Sequence, residues 1–401
     1  MATYTVNQPG SSVATFPASL KRGDVMNIYN TGSGRSGTIL RWIVPNDGIY
    51  RLVAMGAQGG CSSSSKDGGN GALMSGDFDL KKGQVLNILV GQQGLYGFTG
   101  GANEGGGGGG TFIVRDRENF PLLVAAGGGG DTNYSTIDLY AMPGETTRLA
   151  SAIPGGSGSR GEGQGGYAGS GTGAGGGGGF FSDGYGTSYG GGGYSYKSGG
   201  TGGASNYPCH GGFGGGGAGG FSGGGGGGGY TGGNGGGNGA AYTSGGGGSY
   251  NAGANQTNIR GSQSGHGQVQ ITFVGSANEP PTDPSLVKQP VSNSMNLSNE
   301  TISLEWTAST DPEGNAITYE IDFYNGSTWA SIAKNIIDTN YDCILPSVTT
   351  DKAQLRIRAT DSENGASEYV LTNAFTVAKQ LYVIKDGNIN KSYKNGNWEF
   401  I

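Results

Sequence analysis

Residues 221–234 read Phe221-Ser222-Gly223-Gly224-Gly225-Gly226-Gly227-Gly228-Gly229-Tyr230-Thr231-Gly232-Gly233-Asn234. Glycine loses more backbone freedom on ordering than any other residue, so such a run taken alone is a flexible coil. It does not stand alone. Gly105–Gly110, Gly175–Gly179, Gly190–Gly193, Gly214–Gly217 and Gly245–Gly248 repeat the theme. The runs end repeatedly in aromatics (Phe180, Phe181, Tyr194, Phe213, Phe221, Tyr230), which supply something to bury. Most of them fall in an insertion at about residues 127–266, tethered at both ends by strand-like segments. The ordered alternative is a bundle of polyglycine II helices, left-handed with three residues per turn. In it, N–H and C=O groups bond sideways to neighbouring helices, at a closeness only glycine permits. The sequence predicts that bundle, with non-glycine residues on its rim.

Outward from the insertion, strand signals dominate. Thr38–Pro45 and Gly48–Met55 flank an Asn46-Asp47-Gly48 turn and read as a hairpin. Asp77–Leu80 and Gln84–Val90, joined by Lys81-Lys82-Gly83, read as a second pair. Thr111–Val114, Leu122–Ala126 and Gly267–Val274 add further strands, short and rich in β-branched residues, which suits a sandwich.

Composition divides the chain. Of 90 glycines in 401 residues, five (Gly314, Gly326, Gly365, Gly387, Gly396) follow residue 279. Residues 280–401 carry 9 Lys/Arg against 15 Asp/Glu, whereas residues 1–279 balance at 14 against 14. The joint is Asn278-Glu279-Pro280-Pro281-Thr282-Asp283-Pro284, whose prolines favour a stiff, extended connector. A net charge of −6 disfavours nucleic acid as the main partner. No apolar run approaches the ~20 residues of a membrane-spanning helix, so no membrane insertion is expected. Cys61, Cys209 and Cys343 are too few and too scattered for a disulfide framework or a metal knuckle. At most Cys61 and Cys209 could pair, and free thiols are the expectation.

Several pieces resemble the glycine-rich domain of the anaplastic lymphoma kinase and leukocyte tyrosine kinase ectodomains and related phage and bacterial proteins. They are Gly56-Ala57-Gln58-Gly59-Gly60, Leu86-Asn87-Ile88-Leu89-Val90-Gly91-Gln92-Gln93-Gly94, Gly105–Gly110 with Thr111–Val114, and Pro121–Ala126 with Gly127–Gly130. Gly211–Asn234 and Gly265-His266-Gly267-Gln268-Val269 complete the set, in the same order over roughly residues 38–274. The resemblance implies a β-sandwich carrying an inserted bundle of polyglycine helices. The family's cysteines are mostly missing, so its disulfides do not carry over. Residues 285–379 resemble a fibronectin type III module: Ile302–Trp306 would bear the core tryptophan, Asp311–Asn315 a turn, and Ile317–Tyr324 a strand of strict alternation. The end, 380–401, reads as short strands joined by tight turns at Asp386-Gly387 and Asn395-Gly396, and resembles small appendages of phage structural proteins. The expected fold class is all-β: residues 1–37 as N-terminal strands or attachment segment, 38–277 as the glycine-rich sandwich, 278–284 as linker, 285–379 as the type III-like sandwich, and 380–401 as a β-hairpin element.

Few residues are suited to catalysis. Cys209-His210 is the one nucleophile–base neighbour pair, and adjacent residues rarely address one reacting atom. His266 sits in a Gly-His-Gly turn and reads as structural. Asp77 with Asp79, and Asp311 with Glu313, read as solvated turns rather than calcium sites. No catalytic, cofactor or metal constellation is expected. Tyr185, Tyr189, Tyr194, Tyr196 and Tyr207 are the candidate receptor contacts, because a tyrosine on a rigid backbone offers a flat apolar face and a hydroxyl. The plain alternative is that these rings seal the bundle.

The start, Met1–Gly10, has neither a basic nor an apolar signal region, so no Sec-type address is read there. Modules of extracellular type without an address point to a bacteriophage virion structural protein, in a tail fibre, tail tip or capsid-decorating appendage. The expected partners are other virion proteins, a host surface glycan or protein, and further copies of the chain. The alternative is a surface or secreted adhesin of a Gram-positive bacterium.

Overall fold

Alternating apolar residues build the first sandwich, in the order β1 (Thr3–Gln8), β2 (Val25–Asn30), β3 (Leu40–Ile43), β4 (Gly48–Met55), β5 (Gly71–Leu80), β6 (Val85–Leu89), β7 (Thr111–Arg115), β8 (Leu123–Ala125), β9 (Tyr250–Asn251), β10 (Ala254–Gln263) and β11 (Gln268–Gly275). The computed structural model describes residues 2–8, 17–61, 67–97, 104–132, 141–151, 160–237, 244–275 and 278–379, plus the backbone of three strands between 382 and 400. One sheet runs β1-β2-β11-β4-β5-β10 and the other β3-β6-β7-β8-β9. In the first, Val269, Ile271 and Phe273 of β11 lie opposite Ala54, Leu52 and Tyr50 of β4. All six point into a core shared with Trp42, Leu86, Ile88, Ile113 and Leu123 of the second sheet. Strand β7 is buried on both faces: Ile113 enters this core, while Phe112 and Val114 enter another on the opposite side.

Neither expected hairpin forms. Strand β3 pairs with β6, while β4 pairs with β11 and β5, so Asn46–Gly48 and Lys81–Gly83 are corners at which the chain changes sheet. The corners bond to each other: Gly83 N–H donates to Val44 C=O and Val44 N–H to Gln84 C=O, each at 2.8 Å. Trp42 and Tyr50 therefore meet edge-to-face across the core, with centroids 5.6 Å apart. A turn signal specifies a reversal but not which sheet receives the returning strand.

Some glycine runs, Gly105–Gly110 before β7 and Gly127–Gly130 after β8 among them, continue from the ends of these strands, and the others pack beside them. Their hydrogen bonds repeat every third residue. Gly225 and Gly228 donate to Gly105 and Gly108, Gly226 and Gly229 to Gly175 and Gly178, and Gly227 and Tyr230 to Gly245 and Gly248, at 2.7–3.2 Å. The same segment accepts from Gly130 and Gly127 at Gly225 and Gly228, from Gly217 at Gly226, and from Gly236 and Gly233 at Gly224 and Gly227. Residues 224–230 thus lie at the centre of six neighbouring segments, every bond lateral. A Cβ at Gly226 would run into the Gly233 carbonyl, and one at Gly225 into that of Gly217. The block also takes in Gly59, Gly60, Gly94 and Gly105–Gly110, upstream of the insertion.

The chain divides into unit 1, Met1–Ser276, and unit 2, Ala277–Ile401. Unit 2 contains β12 (Ser285–Lys288), β13 (Met295–Leu297), β14 (Thr301–Thr307), β15 (Ile317–Tyr324), β16 (Trp329–Ile336), β17 (Asn340–Ile344), β18 (Thr350–Asp361), β19 (Val370–Leu371) and β20 (Phe375–Ala378). One sheet is β12-β14-β17; the other is β13-β20-β18-β15-β16, with β19 beside β18. Trp306 is buried edge-to-face on Tyr319, centroids 5.1 Å apart. The alternation along β15 breaks at buried Asp322, whose carboxylate takes two bonds from Arg356 at 2.8–3.0 Å. Strands β21 (Tyr382–Lys385), β22 (Asn388–Lys394) and β23 (Asn397–Phe400) form a separate antiparallel sheet. The turns at Asp386-Gly387 and Asn395-Gly396 lie outside the described residues.

The all-β expectation holds: among the described residues the helical content is a single 3₁₀ turn, Tyr196–Ser198.

Candidate functional site

Chain connectivity sorts the aromatics that end the glycine runs into two groups. Phe213 and Phe221 bracket Gly214–Gly220 with Ala218 within it, and Phe221 and Tyr230 bracket Ser222–Gly229, so Phe221 lies at the opposite end of the runs from the other two. Phe180, Phe213 and Tyr230 pack on Leu89, Phe112, Val114 and Val124, the outer face of the second sheet. Tyr196 joins them, its ring parallel to Phe180 at 5.2 Å and also 5.2 Å from Phe112. Burial pushes its hydroxyl up to about 12. Of the five candidate tyrosines, Tyr196 packs against this cluster and is half-buried there.

The other four do not converge on one spot. Tyr185 is 52% exposed and stacks on Tyr167 with centroids 6.1 Å apart. The Arg160 guanidinium lies 4.2 Å over the Tyr185 ring and donates to its hydroxyl at 3.2 Å. Tyr194 is exposed, its N–H held by the Thr201 carbonyl at 2.8 Å. Tyr189 and Tyr207 meet around Phe221, each ring centroid 6.3 Å from it.

The Tyr189–Phe221–Tyr207 cluster rests on three turns tied into the glycine block. Thr187 Oγ1 donates to the Gly173 carbonyl at 2.7 Å and accepts the N–H groups of Tyr189 and Gly190. Ser205 Oγ donates to the Tyr189 carbonyl at 3.2 Å and accepts from Tyr207 N–H at 3.1 Å. Phe221 N–H donates to the Thr172 carbonyl at 2.9 Å, beside a Thr172–Ser222 hydroxyl contact. Its place at the end of a glycine run marks Phe221 as a ring to bury, yet it is 36% exposed and forms the middle of the cluster. The direction of the runs, which decides this, is not written in any local motif.

The remaining candidates are occupied structurally. Cys209 Sγ contacts the Gly219 carbonyl and the Ser205 hydroxyl, each at 3.4 Å, while His210 Nδ1 accepts from Ser205 N–H at 3.0 Å, so both side chains are engaged in holding the local turn. Burial raises the Cys209 thiol, against the thiolate a nucleophile needs. Burial lowers both His210 and His266, and His266 Nδ1 accepts from Gln93 N–H at 3.0 Å. Asp77 is held low first by its bond to Arg51, and Asp79 pairs with Lys81 at 3.1 Å. Asp311 Oδ1 accepts the N–H groups of Glu313 and Asn315. Cys61, Cys209 and Cys343 are free thiols. Among the described residues no three His, Cys, Asp or Glu side chains come together as a metal site.

No known family model matches the chain. Among solved structures it is similar to a β-1,2-glucanase from Parabacteroides distasonis, at 17% identity and TM-score 0.19, over 31% of this chain and 18% of that one. It is also similar to a nucleoside hydrolase-related protein from Saccharophagus degradans associated with carbohydrate metabolism, at 21% identity and TM-score 0.18, over 27% of each chain. The likeness thus spans less than a third of either partner, and at these scores it carries neither fold nor activity across.

Proposed function

We propose that this chain is a non-enzymatic structural protein of a bacteriophage particle, in a tail fibre, tail tip or capsid-decorating appendage, that presents a recognition surface to its host. Unit 1 is its head: a glycine-rich sandwich of the receptor-kinase ectodomain type carrying a polyglycine II bundle. Unit 2, with a type III-like sandwich and the C-terminal strands, serves as spacer or attachment in a multicopy assembly with other virion proteins. The observation that carries this reading is a set of aromatic rings, Tyr189 and Phe221 exposed and Tyr207 half-buried, on turns pinned into a laterally bonded glycine block. Rings on a rigid frame need little ordering on contact, and low ordering entropy favours binding. The three-residue period of the hydrogen bonds supports the polyglycine II assignment. The burial of Cys209 and the bonded nitrogens of both histidines favour a binding role over catalysis.

The test is electron microscopy of phage particles labelled with antibody against residues 280–401. Label at a fixed point on the particle supports the virion role. Label confined to the bacterial envelope overturns it in favour of a surface or secreted adhesin.

A further inference from the structure

The Tyr189–Phe221–Tyr207 cluster, two rings exposed and Tyr207 half-buried, has a chemistry of its own. The segments that build it, residues 169–173, 186–190, 203–208 and 218–223, contain no Asp, Glu, Lys or Arg. The other aromatic group is charged, with Arg160 lying over Tyr185. Hydroxyl groups of Thr172, Thr187, Ser205 and Ser222 are spent inside the frame. By contrast, the hydroxyls of Tyr189 and Tyr207 make no hydrogen bond within the described residues. The Asn206 amide is exposed beside them, and its Nδ2 group makes a long 3.4 Å bond to the Ser188 carbonyl. These segments therefore offer tilted aromatic faces, phenol hydroxyls unbonded among the described residues, and an amide, and carry no charged side chain of their own.

We propose that the Tyr189–Phe221–Tyr207 face binds a neutral glycan. A pyranose has one face of C–H groups and a rim of hydroxyls. The C–H face packs on a flat ring, and the rim takes hydrogen bonds from an amide and phenols. Segments without a charged side chain give an anionic ligand little compensation for the water it loses, so phosphorylated, sulfated and carboxylated polymers are poor occupants. This inference rests on the recognition reading above and gives its ligand a class.

The test uses the full chain on a glycan microarray carrying neutral oligosaccharides beside sialylated, sulfated and phosphorylated ones. Adsorption to cells of the host bacterium is measured in parallel. Phe221→Leu keeps apolar bulk while removing the ring, and Tyr189→Ala removes a ring already at the surface. Binding to neutral glycans is expected, falling at least tenfold in both variants with the melting temperature unchanged, and unaffected by Arg160→Ala. A blank array, binding confined to anionic glycans, or neutral-glycan binding indifferent to both variants would overturn the proposal. If the array is blank while cell adsorption persists and falls with Tyr189→Ala, the ligand class is wrong and the recognition reading survives. Adsorption that ignores Tyr189→Ala and Phe221→Leu sinks both.

Discussion

The glycine block and the second unit are held together by opposite means. In unit 2, Leu304, Trp306, Tyr319, Ile321, Phe323, Leu355, Ile357 and Phe375 fill one core, and backbone pairing serves to bring their side chains together. At the centre of the glycine block, residues 224–229 have no side chains, and stability resides in amide groups bonded to six neighbouring segments. Interiors are close-packed in either case, so the two respond to different insults. A side-chain core is damaged by taking atoms away; the glycine block is damaged by adding them.

The largest expected effect is therefore Gly226→Ala, normally among the mildest of substitutions. Its Cβ meets the Gly233 carbonyl and lies 2.9 Å from the Gly177 amide nitrogen, groups already fixed by their own bonds. Overpacking costs about 1–3 kcal/mol where neighbours can shift, and here every neighbour is backbone. Unit 1 should lose its cooperative transition in calorimetry while unit 2 melts as before. A variant with both transitions intact would show that the block is loosely packed.

Next comes Phe323→Ala in unit 2, which opens a cavity and should cost about 3–5 kcal/mol. Its transition should move to much lower temperature with that of unit 1 unchanged. Equal shifts in the two transitions would mean that the units do not unfold independently.

The smallest effect is acid sensitivity, which also separates the units. Both histidines, His210 and His266, lie in unit 1, and burial lowers the pKa of each. A group with a depressed folded-state pKa contributes in its neutral form above the unfolded value, about 6.5 for histidine, and that contribution is lost as pH falls through the folded value. Between pH 7.5 and 5, unit 1 should lose a few degrees while unit 2 stays level. Glu320 and Asp361 of unit 2 are lowered too, but that contribution fades only further down, through the carboxylate range. A parallel decline in both units would remove the histidines as the cause.

The charged face of unit 2 sharpens the contrast further. Arg356 lies 4.4 Å over Trp329 and 3.7 Å over Tyr369, with Asp322 as its ion-pair partner. There, side chains from four places in the sequence carry the order that bare backbone carries in unit 1.

Period-two strands such as Gly267–Val274 and Ile302–Trp306 were legible because alternation marks a face wherever it occurs. The buried Trp306 was legible for the same reason. The corners at Asn46–Gly48 and Lys81–Gly83 were not, since a reversing turn carries no record of its destination sheet. Nor was the sorting of the tyrosines. Tyr194 and Tyr196 are separated by Ser195 alone, yet Tyr194 is exposed and Tyr196 stacks on Phe180.

The sequence by itself determined that the chain is all-β, that it divides near residue 277, and that its glycine runs must be ordered by one another if at all. These follow from local chemistry: side-chain periodicity, proline stiffness and the missing Cβ. The tertiary structure alone decided which run bonds to which and which end of each run reaches solvent. It thereby gathered Tyr189, Phe221 and Tyr207 into one face. Identical glycines carry no address, so the partner of each amide is fixed only when all the segments pack at once.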